Sequence, residues 1–84
     1  MLVHAAFADA QVRVKSLSGR PSNTDLLELY ALFKQGSEGN VSGKRPSMLD
    51  IKGRAKYNAW ASRKGLDGEA ARKQYVELVD RLLG

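Results

Sequence analysis

Cysteine is absent from this 84-residue chain, and histidine occurs once, at His4. The first absence removes any disulfide framework and any thiolate metal site. The second removes multi-histidine metal centres and any relay that needs more than one imidazole. No apolar run approaches the roughly 20 residues needed to cross a bilayer. The opening Met-Leu-Val-His-Ala-Ala-Phe-Ala lacks a basic start and a long apolar core, so it does not read as a secretory signal. The expectation is a cytoplasmic protein with neither metal nor cofactor. Acids are in the minority, nine against fourteen lysines and arginines, which gives a net charge of +5 and a pI near 9.8. That balance favours an anionic partner, but nucleic acid, acidic membrane and phosphorylated metabolite all satisfy it.

What is present is ordinary in bulk and specific in arrangement. Hydrophobic residues at 43% and charged residues at 27% fit a folded soluble chain. The length suits one domain, residues 1–84, which buries about 60–65% of its unfolded surface and is modestly stable. Val3, Phe7, Ala10, Val14 and Leu17 recur at alternating steps of four and three, the stripe of an amphipathic helix. Ser18-Gly19-Arg20-Pro21 closes it. Ser22 is placed to cap a second helix, with Asp25 near its positive end. That helix is expected to end near Ser37, with Gly36 a candidate for an earlier stop. Residues 36–47, with three glycines and a proline, read as one long loop. Asp50 is placed to start a third helix that Gly65 stops, and Asp67 to cap a fourth with Ala71, Tyr75, Leu78, Val79 and Leu82 inward. No strand alternation and no internal repeat occur. The fold class is all-α, with four helices.

Two clusters carry the chemistry. Tyr30 and Lys34 lie one turn apart on the second helix, with Phe33 beside them. Lys52, Lys56, Tyr57 and Trp60 repeat the mixture at helical spacing on the third. Cations interleaved with rings suit a ligand that bears both phosphates and a flat base, bound without catalysis. A phenol beside an ammonium gives directional and ionic contacts to one phosphate, and charge-assisted hydrogen bonds are about twice as strong as neutral ones. Taken alone, Tyr30 and Phe33 are ordinary core aromatics and Lys52 an ordinary solvated charge. Trp60 reads better as an anchor between helices, and His4 as an exposed residue. Gly43-Lys44 lacks the upstream glycine spacing of a phosphate loop. No carboxylate pair and no nucleophile with a positioned base stand out, so no enzyme is expected.

Pro21 to Gln35, P-S-N-T-D-L-L-E-L-Y-A-L-F-K-Q, and Lys44 to Trp60, K-R-P-S-M-L-D-I-K-G-R-A-K-Y-N-A-W, resemble the two main patterns of the acyl-CoA-binding protein family. Phe7 and Tyr75 fall at the family's separations, so the resemblance spans nearly the whole chain. It departs at Phe33, where a second tyrosine is usual, and at Tyr57, where tryptophan is common. Thr24 replaces an acid, and Gly36 replaces a residue with a small side chain. The resemblance implies an up-down-down-up four-helix bundle that holds a long-chain fatty acyl-CoA as carrier and pool former, with no bond chemistry on the ligand. By the same resemblance Tyr30, Lys34 and Lys56 receive the ribose 3′-phosphate and adenine region, and Phe33 lies against the adenine. Lys15, Lys52 and Tyr75 complete the site, and Leu27 lines the acyl path. A monomer is expected, with transient contact to membranes and acyl-CoA-using enzymes and none to nucleic acid. The rival readings are a small basic helical nucleic-acid-binding domain, whose cations would cluster on one stripe, and a membrane-surface module, for which the first helix has too few bulky apolar residues.

Overall fold

The computed structural model describes residues 3–84, and side chains from residue 5 onward. The stripe position Val3 and the expected exposure of His4 lie outside the described side chains. Four helices form: α1 (Val3–Arg13), α2 (Asn23–Glu38), α3 (Ile51–Ala61) and α4 (Gly68–Leu83). Each of the three expected caps is made. The Ser22 hydroxyl accepts from the Asp25 amide at 3.1 Å, Asp50 from Gly53 at 3.0 Å and Asp67 from Ala70 at 3.2 Å. Each satisfies an amide that the helix itself leaves without a partner.

Side-chain pairs fix the helix directions. Phe7 meets Tyr75 and Arg13 meets Asp80, so α1 and α4 run the same way. Phe33 meets Tyr75 while the Gly36 carbonyl accepts from Arg72, so α2 runs against α4. Tyr30 meets Lys56 and Lys34 meets Trp60, so α3 runs with α2. The order is up-down-down-up. Parallel neighbours need a return connection as long as the helix: 16 residues of α2 rise about 24 Å. Residues 39–50 supply it, with a maximal reach of roughly 40 Å. The long loop is therefore a topological necessity.

The core gathers Phe7 and Ala10 of α1, Leu29 and Leu32 of α2, and Ala71, Tyr75, Leu78 and Val79 of α4. From α3 only Trp60 is buried. It anchors the helix as expected, its Nε1 donating to the Gly39 carbonyl at 2.8 Å. The result is a thin slab, 39 × 29 × 15 Å across its Cα atoms.

Three boundaries differ from the sequence reading. The first helix tightens into a 3-10 turn over Val14–Ser16, where the Ser16 hydroxyl donates to the Arg13 carbonyl at 2.7 Å. The third ends at Ala61, and residues 62–65 continue as turns to Gly65 at φ +90°. The second does not stop at Gly36 but runs to Glu38, one residue past the expected Ser37, so the loop begins at Gly39 rather than 36. Gly39, at φ +87°, donates its amide to the Gln35 carbonyl and ends α2 in a conformation that favours glycine.

Gly36 has a packing role instead. A Cβ there would sit 2.8 Å from Arg72 Cγ and 3.3 Å from the Arg72 backbone nitrogen, with Phe7 Cζ at 3.4 Å. The missing side chain lets α4 approach α2 and leaves room for the Arg72 guanidinium to reach the Gly36 carbonyl at 2.7 Å. In an open helix Gly36→Ala would gain about 1 kcal/mol from propensity. Here overpacking wins: urea titration of Gly36→Ala is expected to show a net loss of about 1–2 kcal/mol. A gain in stability would show that Arg72 moves aside at no cost.

Candidate functional site

Two adjoining cavities open along α2. The first, about 420 Å³, lies between the α1–α2 connection and α2, walled by Leu17, Pro21, Leu29, Tyr30, Phe33 and Tyr75, with Lys15 on its wall. The second, about 290 Å³, lies between the first turns of α2 and α3. Its apolar floor is Leu26, Leu27, Ile51 and Ala55, and Arg20, Lys52 and Lys56 surround it. Leu26 lines both, so the two are neighbours. One is mainly apolar; the other puts three cations around an apolar floor.

Of the eight residues singled out from sequence, Lys15, Tyr30, Phe33 and Tyr75 line the first cavity and Leu27, Lys52 and Lys56 the second. Lys56 ties the two together, its Nζ 5.4 Å from the centroid of the Tyr30 ring. Such a contact favours a cation by about 0.5–2 kcal/mol and holds both side chains at the α2–α3 seam. Lys34 lines neither cavity. Its ammonium pairs with Glu38, one turn on, and lies 4.7 Å from the Trp60 ring centroid. Tyr57 turns to the loop, its hydroxyl donating to the Gly43 carbonyl at 3.1 Å beneath the Arg45 guanidinium.

Phe33 serves packing and cavity together. Its ring is 6.1 Å from Phe7, nearly parallel, and 6.5 Å from Tyr75, while one side stays open to the first cavity. Tyr75 stands edge-on to Phe7 at 5.2 Å and is 5% exposed. Burial raises the pKa of its phenol above the ordinary 10, so it faces the cavity as the neutral acid. Arg20, Leu26 and Ile51 were not singled out from sequence, yet all three line a cavity. Leu26 was accessible to the same spacing argument, because it lies one turn before Tyr30. Arg20 and Ile51 were not, because their places depend on how a connection and a second helix fold back.

The family model for acyl CoA binding protein matches residues 4–79. This chain belongs to the acyl-CoA-binding protein family. It is 50% identical over 78 residues to acyl-CoA-binding protein homolog 1 of Caenorhabditis elegans, covering 93% of this chain and 91% of the relative. To the acyl-CoA-binding protein homolog of Drosophila melanogaster it is 45% identical over 82 residues, 98% and 95% of the two chains. Acyl-CoA-binding protein 2 of Oryza sativa superposes with a TM-score of 0.93 at 34% identity, over 96% of this chain and 88% of that one. The family member from Moniliophthora perniciosa does so at 0.88 and 36%, over 94% and 78%. The four-helix bundle implied by the resemblance is thus the family fold.

The raised Tyr75 pKa carries a pH consequence. The folded state holds that proton more tightly than the unfolded chain, so the associated stability is complete below about pH 10 and is lost as pH rises beyond it. Thermal midpoints measured from pH 9 upward should fall less steeply for Tyr75→Phe than for the parent. Parallel slopes would show that the buried phenol does not contribute.

Proposed function

We propose that this protein is a non-enzymatic carrier and pool former for long-chain fatty acyl-CoA, acting as a single domain and a cytoplasmic monomer. The observation that carries this reading is the Lys56–Tyr30 pair, which stands where an apolar cavity meets a cationic one. A ligand with a greasy tail and a phosphorylated head needs both environments within one molecule's reach. The names of the relatives, all acyl-CoA-binding proteins, support it.

In this scheme Tyr30, Lys34 and Lys56 hold the ribose 3′-phosphate and the adenine region, and Phe33 offers its open face to the base. Lys15, Lys52 and Tyr75 complete the grip, and Leu27 lines the acyl path. Lys34 must leave Glu38 to reach the phosphate. That exchange is favourable because a phosphate monoester carries roughly −1.5 to −2 charges against the carboxylate's single one. Phe33 keeps the stacking of a tyrosine without its hydroxyl. No covalent step is assigned to any residue, and the ligand leaves as it arrived. Transient contacts with membranes and with enzymes that use acyl-CoA are the means of loading and release.

Energetically the tail dominates. Each buried methylene contributes about 0.8 kcal/mol, so a chain of about sixteen carbons offers on the order of 10 kcal/mol before ordering costs. Base stacking adds about 1–3 kcal/mol. Isothermal titration should therefore show affinity climbing with acyl length, with free CoA far weaker than palmitoyl-CoA. Equal affinity for the two would reject the carrier reading. Lys34→Ala should weaken palmitoyl-CoA binding by about tenfold, one charge-assisted contact, while the far-UV spectrum stays that of the parent. Undiminished affinity in that variant would remove Lys34 from the site.

A further inference from the structure

The net charge is not shared evenly. Cations are spread along the chain, but the acids that offset them are not. Residues 39–66, the long loop with α3 and its exit turn, hold seven basic residues and one acid, Asp50, for +6. The remaining residues hold seven basic and eight acidic, for −1. Two of the seven cations have polar partners, Arg63 with Glu28 at 3.7 Å and Arg54 with the Pro46 carbonyl at 3.4 Å, and two more, Arg45 and Lys56, lie over the Tyr57 and Tyr30 rings. Lys44, Arg45, Lys52, Lys56 and Lys64 are exposed.

The same segment carries the most exposed apolar side chains of the described residues. Leu49 is 92% exposed, Met48 79% and Ile51 78%. They are held in place. The Asp50 amide donates to the Ser47 carbonyl at 2.9 Å and the Leu49 amide to the Ser47 hydroxyl at 3.1 Å, which closes a turn. Asp50 spends its carboxylate on the α3 cap. A fixed turn that projects large apolar groups between cations loses little entropy on docking.

We propose that Met48 and Leu49, flanked by Lys44, Arg45 and Lys52, dock the protein onto an anionic lipid surface. A bilayer interface offers both things this tip requires: apolar depth for two side chains and negative charge for the ring of cations. A nucleic acid would use the cations and leave Met48 and Leu49 in water. Ile51, three residues beyond Met48, lines the second cavity, so docking sets the mouth of that cavity against the membrane. The inference deepens the carrier reading, whose ligand partitions into lipid, and its biological sense rests on that reading. The docking itself needs no ligand.

The test uses the full chain without ligand and sucrose-loaded vesicles of phosphatidylcholine, with and without phosphatidylserine. Sedimentation should recover the protein with the phosphatidylserine vesicles only, and less at high salt. Met48→Ser/Leu49→Ser should lower the partition coefficient at least about tenfold, and Lys44→Ala/Arg45→Ala about fivefold for each cation removed. Because the chain has no cysteine, Met48→Cys takes a single environment-sensitive fluorophore. Its emission should shift blue on the anionic vesicles, and that of the same probe at Val12→Cys on α1 should not. Titration with palmitoyl-CoA should give the parent affinity for Met48→Ser/Leu49→Ser. Failure of the parent to bind anionic vesicles at low salt overturns the proposal, as does undiminished vesicle binding by the apolar variant. Loss of palmitoyl-CoA affinity in that variant also overturns it, since the tip would then be a wall of the ligand site. A parent that binds vesicles through this tip but not palmitoyl-CoA would sink the carrier reading and leave the docking surface standing.

Discussion

At the end of α2 a buried side-chain amide joins pieces of chain that are far apart in sequence. Gln35, 1% exposed, donates through Nε2 to the Leu66 carbonyl at 2.8 Å and to Asn40 Oδ1 at 3.0 Å. The same Asn40 oxygen accepts from the Gly65 amide at 2.8 Å. Immediately beside it the Gly36 carbonyl takes Arg72 and the Gly39 carbonyl takes Trp60. Carbonyls that a helix end would leave to water are thus answered by side chains of α3 and α4. The knot fixes where the long loop departs, where α3 stops and where α4 begins. The parallel setting of α2 and α3 depends on it, because no tight turn could enforce that arrangement.

The four helices do not share the work equally. The apolar core is built by α1, α2 and α4, and α4 lies against both of the others. By contrast α3 buries one large side chain and otherwise leans on α2 through two ring–cation contacts and on the loop through polar bonds from Arg54, Tyr57 and Trp60. That thin packing leaves space at the seam, and the second cavity is the space. A helix with little apolar surface to hide is free to carry charge. It bears Lys52, Arg54 and Lys56 and no acid, and Lys52 and Lys56 stand at that cavity.

Much of this is legible in the sequence alone. The caps Ser22, Asp50 and Asp67 declare themselves through residue type and position, since only a short polar side chain can satisfy the first free amides of a helix. The stripe Ala71, Tyr75, Leu78 and Val79 announces the buried face of α4 by spacing alone. Gly36 misled because glycine has two uses, ending a helix or admitting a close neighbour, and local sequence does not distinguish them. The neighbour is Arg72, 36 residues away, and nothing near Gly36 names it.

The candidate site divides in the same way. Local spacing sets Tyr30 beside Lys34 and Lys56 beside Trp60, because the α-helical period is a property of the backbone and holds wherever a helix forms. Which of those groups meet across the seam is another matter. That Lys56 covers Tyr30 while Lys34 turns to Glu38 and Trp60 follows from the direction and offset of α3 against α2, as do the two cavities that share Leu26. Helix identity, caps, charge and the residue types of the site were determined by the sequence, through interactions that reach no further than one turn. The pairing of helices, the place of Gly36 and the joining of the cavities were decided by tertiary structure, because each is a contact between segments whose separation along the chain carries no record of their distance in space.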